Sequence, residues 1–104
     1  MRQQNIKKMK KDVITVDIDL NLESVKVLNI LYPKGYCNDS AYTRFSKLDN
    51  YCDCILRFVD EIYVKKILRK AHRGLTERCK TQQDLKYYRY NLMRKINNLY
   101  ITVS

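Results

Sequence analysis

The stretch LTERCKTQQDLKYYRYNL, residues 75–92, reads as a β-hairpin with its turn at Gln82–Asp84. That reading decides the fold class. In the first arm Thr76, Arg78 and Lys80 share one face, while Leu75, Glu77 and Cys79 share the other, as the two-residue period of a strand requires. The second arm, LKYYRYNL, places Tyr87, Tyr88 and Tyr90 close together, and aromatic side chains suit a pleated surface.

Working toward the N-terminus, residues Asp60–Arg73 predict the clearest helix of the chain. Asp60 suits the N-cap, and Gly74 suits the position just past the helix end. At about 100° per residue, Val64, Ile67, Leu68 and Ala71 fall on one face. Lys65, Lys66, Arg69, Lys70 and Arg73 fall opposite. Residues Ala41–Val59 read as one long or two paired strands with a turn near Lys47–Asn50. In their second part Cys52, Cys54, Leu56 and Phe58 share a face. Val13–Leu20 (VITVDIDL) alternates as a half-buried strand, with Ile14, Val16, Ile18 and Leu20 inward. Asn21 then caps a short helix whose face is Leu22, Val25, Leu28, Leu31 and Tyr32, and Pro33 and Gly35 stop it. Residues Met93–Ser104 fit a further strand, a terminal helix or an extension.

The expected order is β-α-β-β-α-β-β. This is an α+β fold, a single small domain with a mostly antiparallel sheet and two helices packed on one face. The segments are a flexible basic arm (1–11), an α+β RNA-binding domain (12–92) and a C-terminal extension (93–104). The 104 residues suit one domain, and 45% apolar residues supply a core. No apolar run approaches the length of a membrane span. The basic start MRQQNIKKMKKD predicts no secretory signal, so the four cysteines are expected as reduced thiols.

Charge is the informative quantity. The formal net charge is +10, unevenly placed. Residues 1–11 carry five basic side chains and no acidic one; residues 12–60 carry five basic and eight acidic; residues 61–104 carry eleven basic and three acidic. Such segregation points to a polyanionic partner, nucleic acid before an anionic membrane surface. Lys65, Arg69 and Arg73, and Lys66 and Lys70, stand at i and i+4, about 5–6 Å apart at Cβ, a spacing comparable to that of phosphates. Counterion release drives binding to such a row. Arg78, Lys80, Lys86 and Arg89 extend the patch, and tyrosines can stack on unpaired bases. The bland alternative is a solvated helix face with tyrosines that serve packing.

Catalysis finds little support. His72, the only histidine, has no Ser, Cys or carboxylate beside it by local spacing. Asp17 and Asp19 share a strand face and read as its solvated side rather than as metal ligands. Cys37, Cys52, Cys54 and Cys79 lack the paired spacing of a zinc ribbon and read as small core residues. Two glycines cannot write a phosphate-binding glycine loop. The expectation is no enzyme, no metal, no cofactor and no small-molecule substrate.

The pieces KKDVITVDIDL (10–20), CILRFVDEIYVKKILRK (54–70) and RGLTERCKTQQDLKYYRYNL (73–92) together resemble the eukaryotic ribosomal protein L22 family. The likeness lies in the order of a basic arm, a first strand, a helix, a hairpin, a Lys/Arg-rich helix and an aromatic closing strand. The chain departs from the family in its glycine-poor loop, its shorter basic helix and its ending MRKINNLYITVS. The resemblance implies a divergent or reduced structural constituent of the large ribosomal subunit. It would bind rRNA beside neighbouring ribosomal proteins, without a membrane, in the cytoplasm on the ribosome, with assembly admitting a nuclear stage. Carried over by residue, Lys65, Lys66, Arg69 and Lys70 would face rRNA, and the arm with Lys7, Lys8, Lys10 and Lys11 would thread along it. Arg73, Arg78 and Lys80 complete the candidate RNA-binding set. Two alternatives are a small RNA- or DNA-binding regulator outside the ribosome, and a non-catalytic dimerising subunit of a tRNA-modification complex.

Overall fold

Leu85, Tyr88, Leu92, Ile96 and Leu99 are all buried, and they recur every three or four residues, which is the period of a helix facing a core. The segment expected as a closing strand is therefore helical. The computed structural model describes residues 18–35 and 39–103, with side chains to Leu99. Four helices make up almost all of it: α1 (Leu20–Leu31), α2 (Ala41–Ile55), α3 (Glu61–Arg78) and α4 (Gln82–Val103). Among the described residues there is no strand. The expected α+β sheet is corrected to an all-α, four-helix domain. Helix α4 runs without interruption past Leu92, where the sequence leaves a strand, a terminal helix or an extension open.

The physical reasons are local. In Ala41–Ile55 the buried residues Leu48, Cys52 and Ile55, with Phe45 packed beside them, follow helical spacing. Reading every second residue hid that pattern. Cys52 is buried but Cys54 is exposed, so the two do not share a strand face. The expected turn at Gln82–Asp84 is instead the first turn of α4. Thr81 Oγ1 accepts the Asp84 N–H at 3.0 Å, the N-terminal half of a capping box. A chain with two glycines and one proline is also poorly supplied with the turn residues that several hairpins demand.

The other helix starts are capped by side chains. Asp19 Oδ1 accepts the N–H groups of Asn21 at 2.9 Å and Leu22 at 3.2 Å. The cap is thus Asp19 rather than Asn21, and Leu20, expected at the end of a strand, opens α1. Residues 13–17 of that expected strand lie outside the described residues. Ser40 Oγ accepts the Thr43 N–H at 3.2 Å, and Asp60 Oδ1 accepts the Tyr63 N–H at 3.0 Å, the cap read from the sequence. Each such cap contributes about 1 kcal/mol.

Helix α1 packs on α3 and α2, and α3 packs on α4. The inward face of α1 is Glu23, Ser24, Val27, Leu28 and Leu31. Leu22 and Val25, expected inside, are 53% and 42% exposed. Burial of Glu23 is made tolerable by its partners. Tyr51 Oη–H donates to Glu23 Oε1 at 2.8 Å, and Lys26 Nζ donates to Oε2 at 3.1 Å. A buried carboxylate with both oxygens engaged escapes most of the desolvation cost.

Helix α3 does not stop at Gly74. A Cβ there would stand 2.9 Å from Leu28 Cδ1. Gly74 faces Leu28 of α1, and the helix continues for another turn through Leu75, which is fully buried.

Candidate functional site

Along α3 the apolar stripe Val64, Ile67, Leu68, Ala71 and Leu75 is inside. The sequence therefore throws Lys66, Arg69 and Arg73 outward, and all three are exposed; Lys70 is half-buried. None of these four forms an ion pair with a described residue. Lys65 stands apart from the expected row, since it is only 2% exposed. Burial lowers its pKa first, and the charge of Arg69 adds to this.

Helix α4 brings Arg89 to the same face. Its Nη2 donates to Thr76 Oγ1 on α3. His72 lies one turn before Thr76, and its pKa is lowered by burial first, then by Arg89 and by Arg73. Arg89 of α4 and Arg73 of α3 therefore both oppose a positive charge on His72. Lys86, exposed one turn before Arg89, continues the face by its i, i+3 spacing. Glu77, four residues after Arg73, is exposed and forms no ion pair with it. The cationic face is thus Lys66, Arg69, Lys70, Arg73, Arg89 and Lys86, with His72 and Thr76 between the helices.

A second feature lies where α1 ends and α3 turns into α4. A cleft of about 360 Å³ is lined by Tyr32, Pro33, Gly35, Arg44, Lys80, Asp84 and Tyr88. Arg44 Nη1 donates to the Leu31 carbonyl at 3.3 Å and to Tyr88 Oη at 2.7 Å. Arg78 Nη1 donates to the Tyr32 carbonyl at 3.1 Å. Two arginines thereby cover carbonyls at the C-terminal end of α1, where the helix dipole favours cations. Tyr32 Oη–H donates to Asp84 Oδ2 at 3.1 Å and accepts the Lys80 N–H at 3.4 Å. Burial raises the Tyr32 pKa despite the Lys80 N–H, and Asp84 adds to the rise. Tyr88 is stacked on Phe45 at 5.8 Å and meets the edges of Tyr32 and Tyr87 at 5.4 Å each. It is a packing residue with one polar end in the cleft, and burial raises its pKa while Arg44 opposes the rise.

The residues named from the sequence are thus dispersed. Lys66, Arg69, Lys70 and Arg73 come together on the cationic face. Lys65 is inside, Arg78 is turned onto the Tyr32 carbonyl, and Lys80 sits at the cleft. Lys7, Lys8, Lys10 and Lys11 lie outside the described residues. Arg44, Tyr32 and Asp84 carried no local signal, because the cleft joins residues far apart in the chain. Among the described residues no group of three or more His, Cys, Asp and Glu side chains could hold a metal ion. Cys52, Cys54 and Cys79 are free thiols, and burial pushes Cys52 up to about 11. No described helix is long and apolar enough to cross a membrane. The chain matches no protein-family model, no curated protein and no solved structure in the comparisons made.

Proposed function

We propose that the protein is a non-catalytic nucleic-acid-binding protein that grips the phosphate backbone of RNA with the α3–α4 face. The observation that carries this reading is a row of α3 cations, Lys66, Arg69, Lys70 and Arg73, that form no ion pair with described residues, joined from α4 by Arg89, whose guanidinium is hydrogen-bonded to Thr76. Holding like charges together without acidic partners destabilises a free domain, and a bound polyanion removes that cost while releasing its own counterions. Binding is favoured over catalysis because, among the described residues, no carboxylate is hydrogen-bonded to His72 to orient it as a base. Ribosomal RNA is the particular RNA that the L22 resemblance implied. That resemblance rested on an order of strands that the described residues do not have, so it adds no weight to the choice among RNAs.

The test is an electrophoretic mobility shift with the joint substitution Lys66→Glu, Arg69→Glu, Lys70→Glu and Arg73→Glu. Affinity for a structured RNA should fall by about 100-fold or more at moderate salt, with helical circular dichroism unchanged. Unchanged affinity would overturn the assignment of the face. A duplex DNA of equal length serves as the second arm: tighter binding to it than to RNA would move the target to DNA.

A further inference from the structure

The cleft at the end of α1 has a lining that phosphate binding alone does not explain. Its two cations come from different places. Arg44 is held by the Leu31 carbonyl and by Tyr88 Oη, and its guanidinium carbon lies 6.0 Å from the centre of the Tyr32 ring. Lys80 is exposed at the rim and forms no ion pair with a described residue. Against them stands one carboxylate, Asp84. Its Oδ2 is engaged by Tyr32, while its Oδ1 receives no hydrogen bond from a described residue. Aromatic and apolar surface is supplied by Tyr32, Tyr88 and Pro33.

Each of these groups selects a different part of one ligand. A rim cation and a fixed guanidinium attract a phosphate. A carboxylate oxygen with spare acceptor capacity takes the hydroxyls of a ribose or the amine of a base, and it disfavours a second phosphate nearby. Tyrosine and proline surface suits the flat face of a base. The volume, about 360 Å³, lies near the lower end of small-ligand clefts, about 300–1,000 Å³, so it suits one unit rather than an oligomer.

We propose that this cleft binds a single nucleotide, an unpaired residue of the bound RNA, with its phosphate toward Lys80 and Arg44 and its ribose or base toward Asp84. The inference rests on the nucleic-acid reading of the α3–α4 face. Both sites draw on the same helix: the cleft takes Asp84 and Tyr88 from α4, and the cationic face takes Lys86 and Arg89. A cleft that takes one unpaired nucleotide beside a backbone-binding face would favour RNA with a bulged or terminal base over a perfect duplex.

The full chain is titrated with uridine 5′-monophosphate, with uridine and with inorganic phosphate, and amide resonances are followed by NMR. Saturable shifts at Tyr32, Lys80, Asp84 and Tyr88 are expected with the monophosphate, at least about tenfold tighter than with uridine or phosphate alone. Lys80→Glu should weaken the monophosphate by about tenfold or more, and Asp84→Asn should narrow its advantage over phosphate. The joint α3 variant should still bind the monophosphate, so loss of RNA binding at the face and loss of the cleft site are read separately. No saturable shift up to about 10 mM, or equal binding of phosphate alone, would overturn the proposal.

Discussion

Gly74 is a residue whose local reading and structural place differ. The glycine reads as a helix stop in the sequence, yet it sits inside α3 with Leu28 of α1 beside it. A methyl at this position meets only the rotatable end of Leu28, and alanine gains about 1 kcal/mol of helix propensity over glycine. Gly74→Ala should therefore stay within about 1 kcal/mol of the parent in urea unfolding, whereas Gly74→Leu should cost about 1–3 kcal/mol by overpacking. His72 carries a second prediction at this scale. Its folded pKa is lowered by burial, Arg89 and Arg73, so below its unfolded value of about 6.5 the unfolded chain binds the proton more readily. Stability should fall as pH drops through that value. Bound phosphates oppose the two guanidiniums and favour imidazolium, so RNA affinity should rise over the same window. His72→Gln should flatten both trends relative to the parent, as measured by thermal melts and gel shifts between about pH 7 and 5.5.

At the scale of elements, α4 carries a helical stripe beneath an aromatic cluster that suits a strand. Leu85, Tyr88, Leu92, Ile96 and Leu99 form a helical stripe across the boundary placed after Leu92. Tyr87 and Tyr90, which suggested a strand, are the exposed rings of the same helix. Leu92→Ala should cost about 2–5 kcal/mol in denaturant unfolding, while Tyr90→Ala, at 65% exposure, should cost less than about 1 kcal/mol. An alternating strand would give the two positions comparable weight. Helix α3 was legible because its apolar face and its cap at Asp60 agree. Helix α1 was legible only as a helix; its rotation was not, because two polar residues, Glu23 and Ser24, face inward where Leu22 and Val25 were expected. The reason is tertiary: Tyr51, from α2, satisfies Glu23, and no local pattern reports a partner that distant. Cys52 and Cys54 part for a local reason: two residues apart on α2, they point about 200° apart around the helix.

For the whole molecule, the charge asymmetry was the part of the functional reading visible in the sequence. The structure sharpens it from a list of cations to a face shared by two helices. It also removes Lys65 from that face and gives Arg78 a structural task at the end of α1. What the sequence could not show was which residues of α4 join α3, since Arg89 meets Thr76 only after the three residues Cys79–Thr81 fold the chain back. The cleft was invisible for a like reason, being assembled from residues as far apart as Tyr32 and Tyr88. The central claim is that the α3–α4 face holds phosphates. The salt dependence of RNA affinity tests it most directly, because each phosphate contact contributes about 0.7–0.9 to the slope of log K against log salt. Replacing Arg69 and Arg73 by alanine should lower that slope by about 1.5 while the helices remain intact. A slope and affinity identical to those of the parent would contradict the account.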